Sequence, residues 1–343
     1  MSTSETSAFP PLSPQPPPIP RRRRRKSHWL LWTILGVSLL VNLVTCTDVG
    51  NRMAGYGYRE YPMVDQTLAW GSGSADTHVA ILSLEGVIFR EAPATFFGSA
   101  LDPVSKLLQE IQAATVDSRI RAILLQVNSP GGGVTASDEI YRALMAFKAS
   151  DPDRKIVIHI GDMAASGGYY AALAGDLLIA QPTSVVGSIG VMISALNMHE
   201  LSEKIGVEDV SLTSSDNKAL LNSFAPVDPE HSLILQNVVD QMYVRFRDLV
   251  LEHRPFTPEF AQEHSLLDGR VFTLPAARDF GLVDEIGYDD HARARVLSLL
   301  GMEEAGFYEV TVQESWAGLF AMRAPELLYP LNTRSRFLYL WKP

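Results

Sequence analysis

Cysteine is almost missing from this 343-residue chain: Cys46 stands alone, so no intramolecular disulfide and no cluster of thiolate metal ligands can form. Histidine is scarce as well, with eight in all, and His199-Glu200 lacks the second histidine of a zinc-hydrolase helix. Positive charge is short along most of the chain. Residues 1–26 hold six of the 29 basic residues and one of the 39 acidic ones, which leaves 23 minus 38, or −15, on the remainder. A region so acidic has no electrostatic case for a polyanion, and nucleic acid is excluded as a partner. No whole-unit repeat is visible, and the Gly-x-Ser-x-Gly elbow of α/β-hydrolases is absent.

Charge is also absent from one continuous stretch. Trp29 to Thr47 is uncharged and apolar, about the length of a bilayer-spanning helix at ~1.5 Å rise per residue. Before it lie a proline-rich tract (Pro10 to Pro20) and the run Arg21 to Lys26. Too few apolar residues lie there to offset the entropy of ordering, so residues 1–28 are expected to be disordered and cytoplasmic. The positive-inside rule then puts everything after a 29–47 anchor across the membrane, with the basic block against anionic lipid headgroups. A cleaved signal peptide is the rival reading; the stretch is long for one, and no small-x-small site stands out. Cys46 follows Leu43-Val44-Thr45, a poor match to a lipid acceptor site, and reads as the end of the membrane helix.

Residues 48–77 carry Gly, Tyr and polar side chains with no steady period and read as a linker. From His78 the pattern changes. Val79 to Leu84, Ala122 to Val127, Ile156 to Ile160 and Leu177 to Ala180 are short apolar runs, as expected of parallel strands buried on both faces. Between them Val104, Leu107, Leu108 and Ile111, then Ile140, Leu144 and Phe147, recur at helical spacing. The expected class is α/β with right-handed crossovers, in one domain over 78–300. Residues 301–343, with Trp316, Phe320, Tyr329, Tyr339 and Trp341, read as an interaction tail.

Two glycine-rich turns follow apolar strands and open helices: Asn128-Ser129-Pro130-Gly131-Gly132-Gly133 and Ala164-Ala165-Ser166-Gly167-Gly168-Tyr169-Tyr170. Backbone amides at a helix start carry a positive dipole end and hold developing negative charge. One turn offers amides without side chains, and the other offers a hydroxyl flanked by glycines. A serine nucleophile needs an unprotonated base. His159 lies in the preceding strand, where a core role fits at least as well as catalysis. A lysine serves if it is desolvated, because burial disfavours the ammonium. Lys218, in Thr213-Ser214-Ser215-Asp216-Asn217-Lys218-Ala219, heads a segment that turns apolar; on spacing alone such a lysine is more often solvated surface.

Four ordered motifs carry a resemblance. Asn-Ser-Pro-Gly-Gly-Gly at 128–133, Met-Ala-Ala-Ser-Gly-Gly-Tyr-Tyr at 163–170, Val-Gly-Ser-Ile-Gly-Val at 186–191 and Gly-Leu-Val-Asp-Glu-Ile-Gly at 281–287 resemble the signal peptide peptidase A (SppA) family of serine proteases. The resemblance covers about 78–290 and implies the Clp protease/crotonase spiral fold. It implies Ser166 as nucleophile, Lys218 as general base and Ser188 as the serine bonded to that lysine. Gly132 and Gly167 would supply the oxyanion-hole amides. Ser214-Ser215 and Ala219 depart from the family's pattern around the lysine. The short form resembles members that assemble as rings, with Ser and Lys of one site drawn from neighbouring subunits. A bacterial inner-membrane location with a periplasmic catalytic domain follows, as do remnant signal peptides as substrates and no cofactor.

Gly131-x-Gly133-x-x-Ala136 also fits a dinucleotide fingerprint, with Asp162 as ribose ligand, but Pro130 and the Ala-Ala-Ser-Gly-Gly turn disfavour it. A crotonase-like acyl-CoA enzyme would share the fold, though coenzyme A is scarce outside the cytoplasm. The alternative of another class is a catalytically silent, membrane-anchored scaffold; joint retention of Ser166, Lys218 and Ser188 argues against it.

Overall fold

A computed structural model describes residues 33–40, 64–90, 94–95, 98–99, 101–312 and 337–340. The expectations for 1–28 and for most of 29–47 lie outside the described residues. Within 29–47, residues 33–40 (α1) are helical and exposed, and no helix among the described residues is long and apolar enough to cross a membrane.

The centre is a mixed sheet in the order β1-β12-β2-β5-β6-β7-β11, from Val64–Gly71, Gly306–Val312, His78–Ile88, Ile120–Gly133, Lys155–Ala165, Leu177–Ala180 and Glu285–Ile286. From β12 to β11 every neighbouring pair runs parallel, and β1 joins β12 antiparallel. All four apolar runs fall inside β2, β5, β6 and β7, whose middles are buried as parallel strands covered on both faces must be. The small hairpin Ala94–Thr95 (β3) with Gly98–Ser99 (β4) stands apart from this sheet.

Helices form where the apolar spacing changes to 3.6. Pro103–Val116 (α2) starts at Asp102, whose carboxylate accepts the Ser105 N–H at 2.8 Å, and buries Val104, Leu107 and Ile111. Val134–Ala149 (α3) buries Ile140, Leu144 and Phe147, and Gly167–Ala172 (α4) is wholly buried. These helices pack with β2, β5 and β6 in the larger core cluster; Ala292 and Val296 of Asp289–Leu300 (α9) join Val79, Leu124, Val157 and Phe307 in a second.

The sheet exceeds the expected 78–300 domain at both ends. Inside the stretch read as a linker, β1 pairs with β12 along nearly its whole length; it is mostly exposed, so no apolar alternation marks it in the sequence. The stretch read as a tail contains β12, a member of the sheet, and β13 (Phe337–Leu340).

After Val185–Gly187 (β8) and Met192–Ile193 (β9) the chain leaves the core. His199–Ile205 (α5), a single 3-10 turn at Asp216–Ala219 and the start of Pro229–His253 (α6) form an arm in which Ser202 is the one buried residue between Val191 and Arg245. Met198 N–H to Ser223 O at 2.6 Å and Asn197 Nδ2 to Ala225 O at 2.8 Å tie the arm to itself. The chain returns through Pro258–Glu263 (α7), Val271–Thr273 (β10) and Leu274–Asp279 (α8).

Candidate active site

Two parallel strands end side by side and aim both glycine-rich turns at one place. The ladder between β5 and β6 closes at Ser129 opposite Ala164, two residues before Ser166. Asn128 Nδ2 donates to Asp162 Oδ2 at 3.0 Å, so these two side chains bind the turns together.

Ser166 takes φ 52° and ψ −113°, a conformation that side chains rarely adopt and that stores strain at a strand-to-helix corner. Its backbone is fixed on both sides: its N–H donates to Gly187 O at 2.8 Å, and its carbonyl accepts the Tyr170 N–H at 2.8 Å. The residue is 1% exposed and its hydroxyl does not cap α4. Strain here holds a hydroxyl at a helix N-terminus, and among the described residues it makes no hydrogen bond to the backbone.

Crowding fixes the glycines. A Cβ on Gly132 would lie 2.2 Å from Ile88 O, and one on Gly168 would lie 2.8 Å from Ser129 O, so the chain packs too closely for any side chain at either position. Ser129 is fully buried; its hydroxyl donates to Gly86 O at 2.6 Å and accepts the Gly131 N–H at 3.1 Å, which locks the first turn against β2. Gly167 opens α4 directly after Ser166.

Ser188, 7% exposed, also has a positive φ, 53°, and its N–H donates to Arg270 O at 2.7 Å. Pairing of Ala165 with Gly187 in the β6–β8 ladder brings Ser188 to the Ser166 corner. Lys218 is placed otherwise. It lies exposed in the 3-10 turn of the arm, and among the described residues no hydrogen bond or ion pair joins its side chain to Ser166 or Ser188. His159 is buried on the β6 strand with Nδ1 4.0 Å from Asp289 Oδ1, and burial holds its imidazole below the ordinary range. It is a core histidine at the start of α9.

Several supports lie inside the quoted motifs but had no role assigned from the sequence. Tyr169, fully buried, donates to Leu282 O at 2.7 Å, and Tyr170 donates to Asp138 Oδ1 at 2.6 Å, so both tyrosines after the glycines anchor α4. Asp284 accepts the Leu178 N–H at 2.7 Å and pairs with the buried Arg254 at 2.8 Å. The 281–287 motif is thus a latch behind α4. Only contacts spanning more than a hundred residues, such as Leu282 with Tyr169, give it that role.

With this geometry in view, the relatives can be placed. The profile of Peptidase family S49 matches residues 148–303, and that of Clp protease matches 91–186. A putative signal peptide peptidase SppA of Enterococcus faecium is 32% identical over 268 residues, covering 76% of each chain. The chain belongs to peptidase family S49. Protease 4 of Salmonella typhi is 32% identical over 72% of this chain, and the chloroplastic serine protease SPPA of Arabidopsis thaliana is 29% identical over 67%. The match spans 38% and 33% of those two longer relatives. This S49 chain is a serine protease with a Clp protease-like α/β fold, and Ser166 stands at the corner between β6 and α4.

Proposed function

We propose that this S49 protease is a membrane-anchored endopeptidase that works through a Ser166–Lys218 dyad and releases product from an acyl-enzyme. The strained Ser166 corner carries the reading: a hydroxyl that caps nothing at its own helix, directly ahead of the α4 amides and in the same sheet end as the crowded Gly132 turn. Unprotonated Lys218 Nζ takes the Ser166 proton as Oγ attacks the peptide carbonyl carbon. The oxyanion is held by the N–H groups of Gly132 and Gly167. Collapse breaks the C–N bond, the lysine returns its proton to the leaving amine, and an ester remains on Ser166. Water, deprotonated by Lys218, then attacks the ester and frees the acid. Ser188 orients the lysine.

Lys218 sits on an arm whose apolar side chains lack cover: Leu212 is 97% exposed, Val210 83% and Leu196 72%. Exposure of this kind favours a neighbouring subunit as the cover. A head-to-tail contact that closes into a ring would carry each arm to the next Ser166 and remove water from Lys218, the condition under which an amine acts as a base. The uncharged 29–47 stretch and the basic residues before it favour a membrane anchor and, with the named relatives, remnant signal peptides as substrates.

The test is hydrolysis of an apolar peptide by the full chain and by Ser166→Ala and Lys218→Ala variants. Each substitution is expected to lower kcat by about 10³-fold or more with folding intact. Parent-like activity in either variant would remove that residue from the reaction.

A further inference from the structure

The core and the arm share one helix. α6 runs unbroken from Pro229 to His253, and Phe246 is its first buried residue. At ~1.5 Å per residue, residues 229–244 extend about 24 Å from that point. An unbroken helix carries a push at one end to the other, so α6 is a lever whose pivot is the pair Arg245-Phe246.

Both pivot residues rest on the Tyr170 side chain or its partner. The Phe246 ring lies 5.0 Å from the Tyr170 ring, and Tyr141 of α3 meets that ring edge-on at 5.8 Å. Asp138 of α3 joins the polar ends: its Oδ1 accepts the Tyr170 O–H at 2.6 Å and the Arg245 Nη2–H at 2.5 Å. Farther along α6, His253 Nε2 meets Tyr141 Oη at 2.8 Å and closes the helix onto α3. At its backbone Tyr170 faces the other way. Its N–H donates to Ser166 O at 2.8 Å, one of the two bonds that hold the Ser166 corner at φ 52°. α4 has six residues, too short to keep its shape without tertiary support. A shift of the Tyr170 side chain is therefore passed to Ser166.

We propose that Tyr170, together with Asp138, is a positioning residue that couples the arm to the nucleophile: seating of the arm presses α6 against Tyr170 through Arg245 and Phe246, and Tyr170 sets the geometry of Ser166. That Ser166 attacks the substrate rests on the dyad reading; that the arm reaches the Ser166 corner through Tyr170 rests on these contacts alone. The reactivity of Ser166 then depends on how the arm is seated as well as on the base that the arm carries.

A thiol at the corner reads this coupling without a base or a substrate. In the detergent-solubilised full chain with Ser166→Cys and Cys46→Ser, the rate of iodoacetamide alkylation against pH gives the midpoint of thiolate formation, which the amides opening α4 depress. Arg245→Gln, at a side chain 57% exposed, leaves the fold intact, and Tyr170→Phe keeps the ring. Each is expected to move the midpoint upward by about half a pH unit or more. Both together should move it no farther than the larger effect alone, because they cut the same link. In chains that keep Ser166, each should lower kcat on an apolar peptide about 3- to 10-fold with KM unchanged, and the double variant should match the worse single one. A thiol midpoint that stays put overturns the proposal, whatever happens to the urea unfolding midpoint; so do kcat losses that multiply in the double variant. A thiol that responds in a chain whose Ser166 parent hydrolyses nothing would sink the dyad and leave the coupling standing.

Discussion

Residues 78–190 and 191–245 belong to one chain but follow different rules. The first stretch is a sheet with helices on its faces, and its strand centres are buried. The second buries Ser202 alone before Phe246 and leaves large apolar side chains in water. The difference fits the chemistry proposed for each. A nucleophile and an oxyanion hole need fixed geometry, which close packing supplies. A base on a separate arm needs only to be brought into place and covered, and that cover must come from outside the arm.

The contrast is open to attack first where its effect is largest. Gly132→Ala places a methyl group against Ile88 O, and it should cost about 3 kcal/mol of stability along with activity, read by urea unfolding. If the core tolerates it, the packing argument fails. Arg254→Met, behind α4, leaves Asp284 without its cation and should cost about 2–3 kcal/mol, below the fully buried value because Asp284 keeps some water.

A pH effect comes next. Glu110 is buried on α2, and desolvation pushes its carboxyl up to about 7 from an ordinary 4.5. The folded state therefore holds a proton that the unfolded state has lost between these values. The penalty is absent below about pH 4.5, grows as pH rises and is complete above about 7. Glu110→Gln should remove a loss on the order of 1–3 kcal/mol across that window, seen as a flatter Tm against pH.

The smallest stability effect belongs to the arm. Leu212→Asp should change the stability of a dissociated subunit by less than ~0.5 kcal/mol. It should nonetheless shift sedimentation toward monomer. A core-sized loss of stability with assembly unchanged would erase the distinction between the two regions.

The sequence disclosed the core far better than the arm. Apolar runs such as Ile156 to Ile160 announce buried parallel strands, and glycines after a strand announce a crowded turn, because burial and crowding act on local residue types. The strain at Ser166 was hidden, since a positive φ there is imposed by Gly187 and Tyr170 rather than by Ser166 itself. Edge strand β1 was hidden for the opposite reason: exposed on most of its length, it has no apolar face to read. Lys218 was only one candidate on its own neighbours, which mark a turn, and its assignment as base came from the resemblance. The pairing of residues 337–340 with Gly131–Gly133 joins segments some 200 residues apart, which no local pattern encodes.

One measurement bears most directly on the proposal that the core holds the nucleophile and the arm lends its lysine to a neighbour. Inactive Ser166→Ala and Lys218→Ala chains are dissociated, mixed in equal amounts, reassembled and assayed on an apolar peptide. Sites built across subunits should return about a quarter of the parent activity, since one interface in about four pairs an intact serine with an intact lysine. No recovery from mixed assemblies shown to contain both chains would contradict it, placing Ser166 and Lys218 of each site on the same chain.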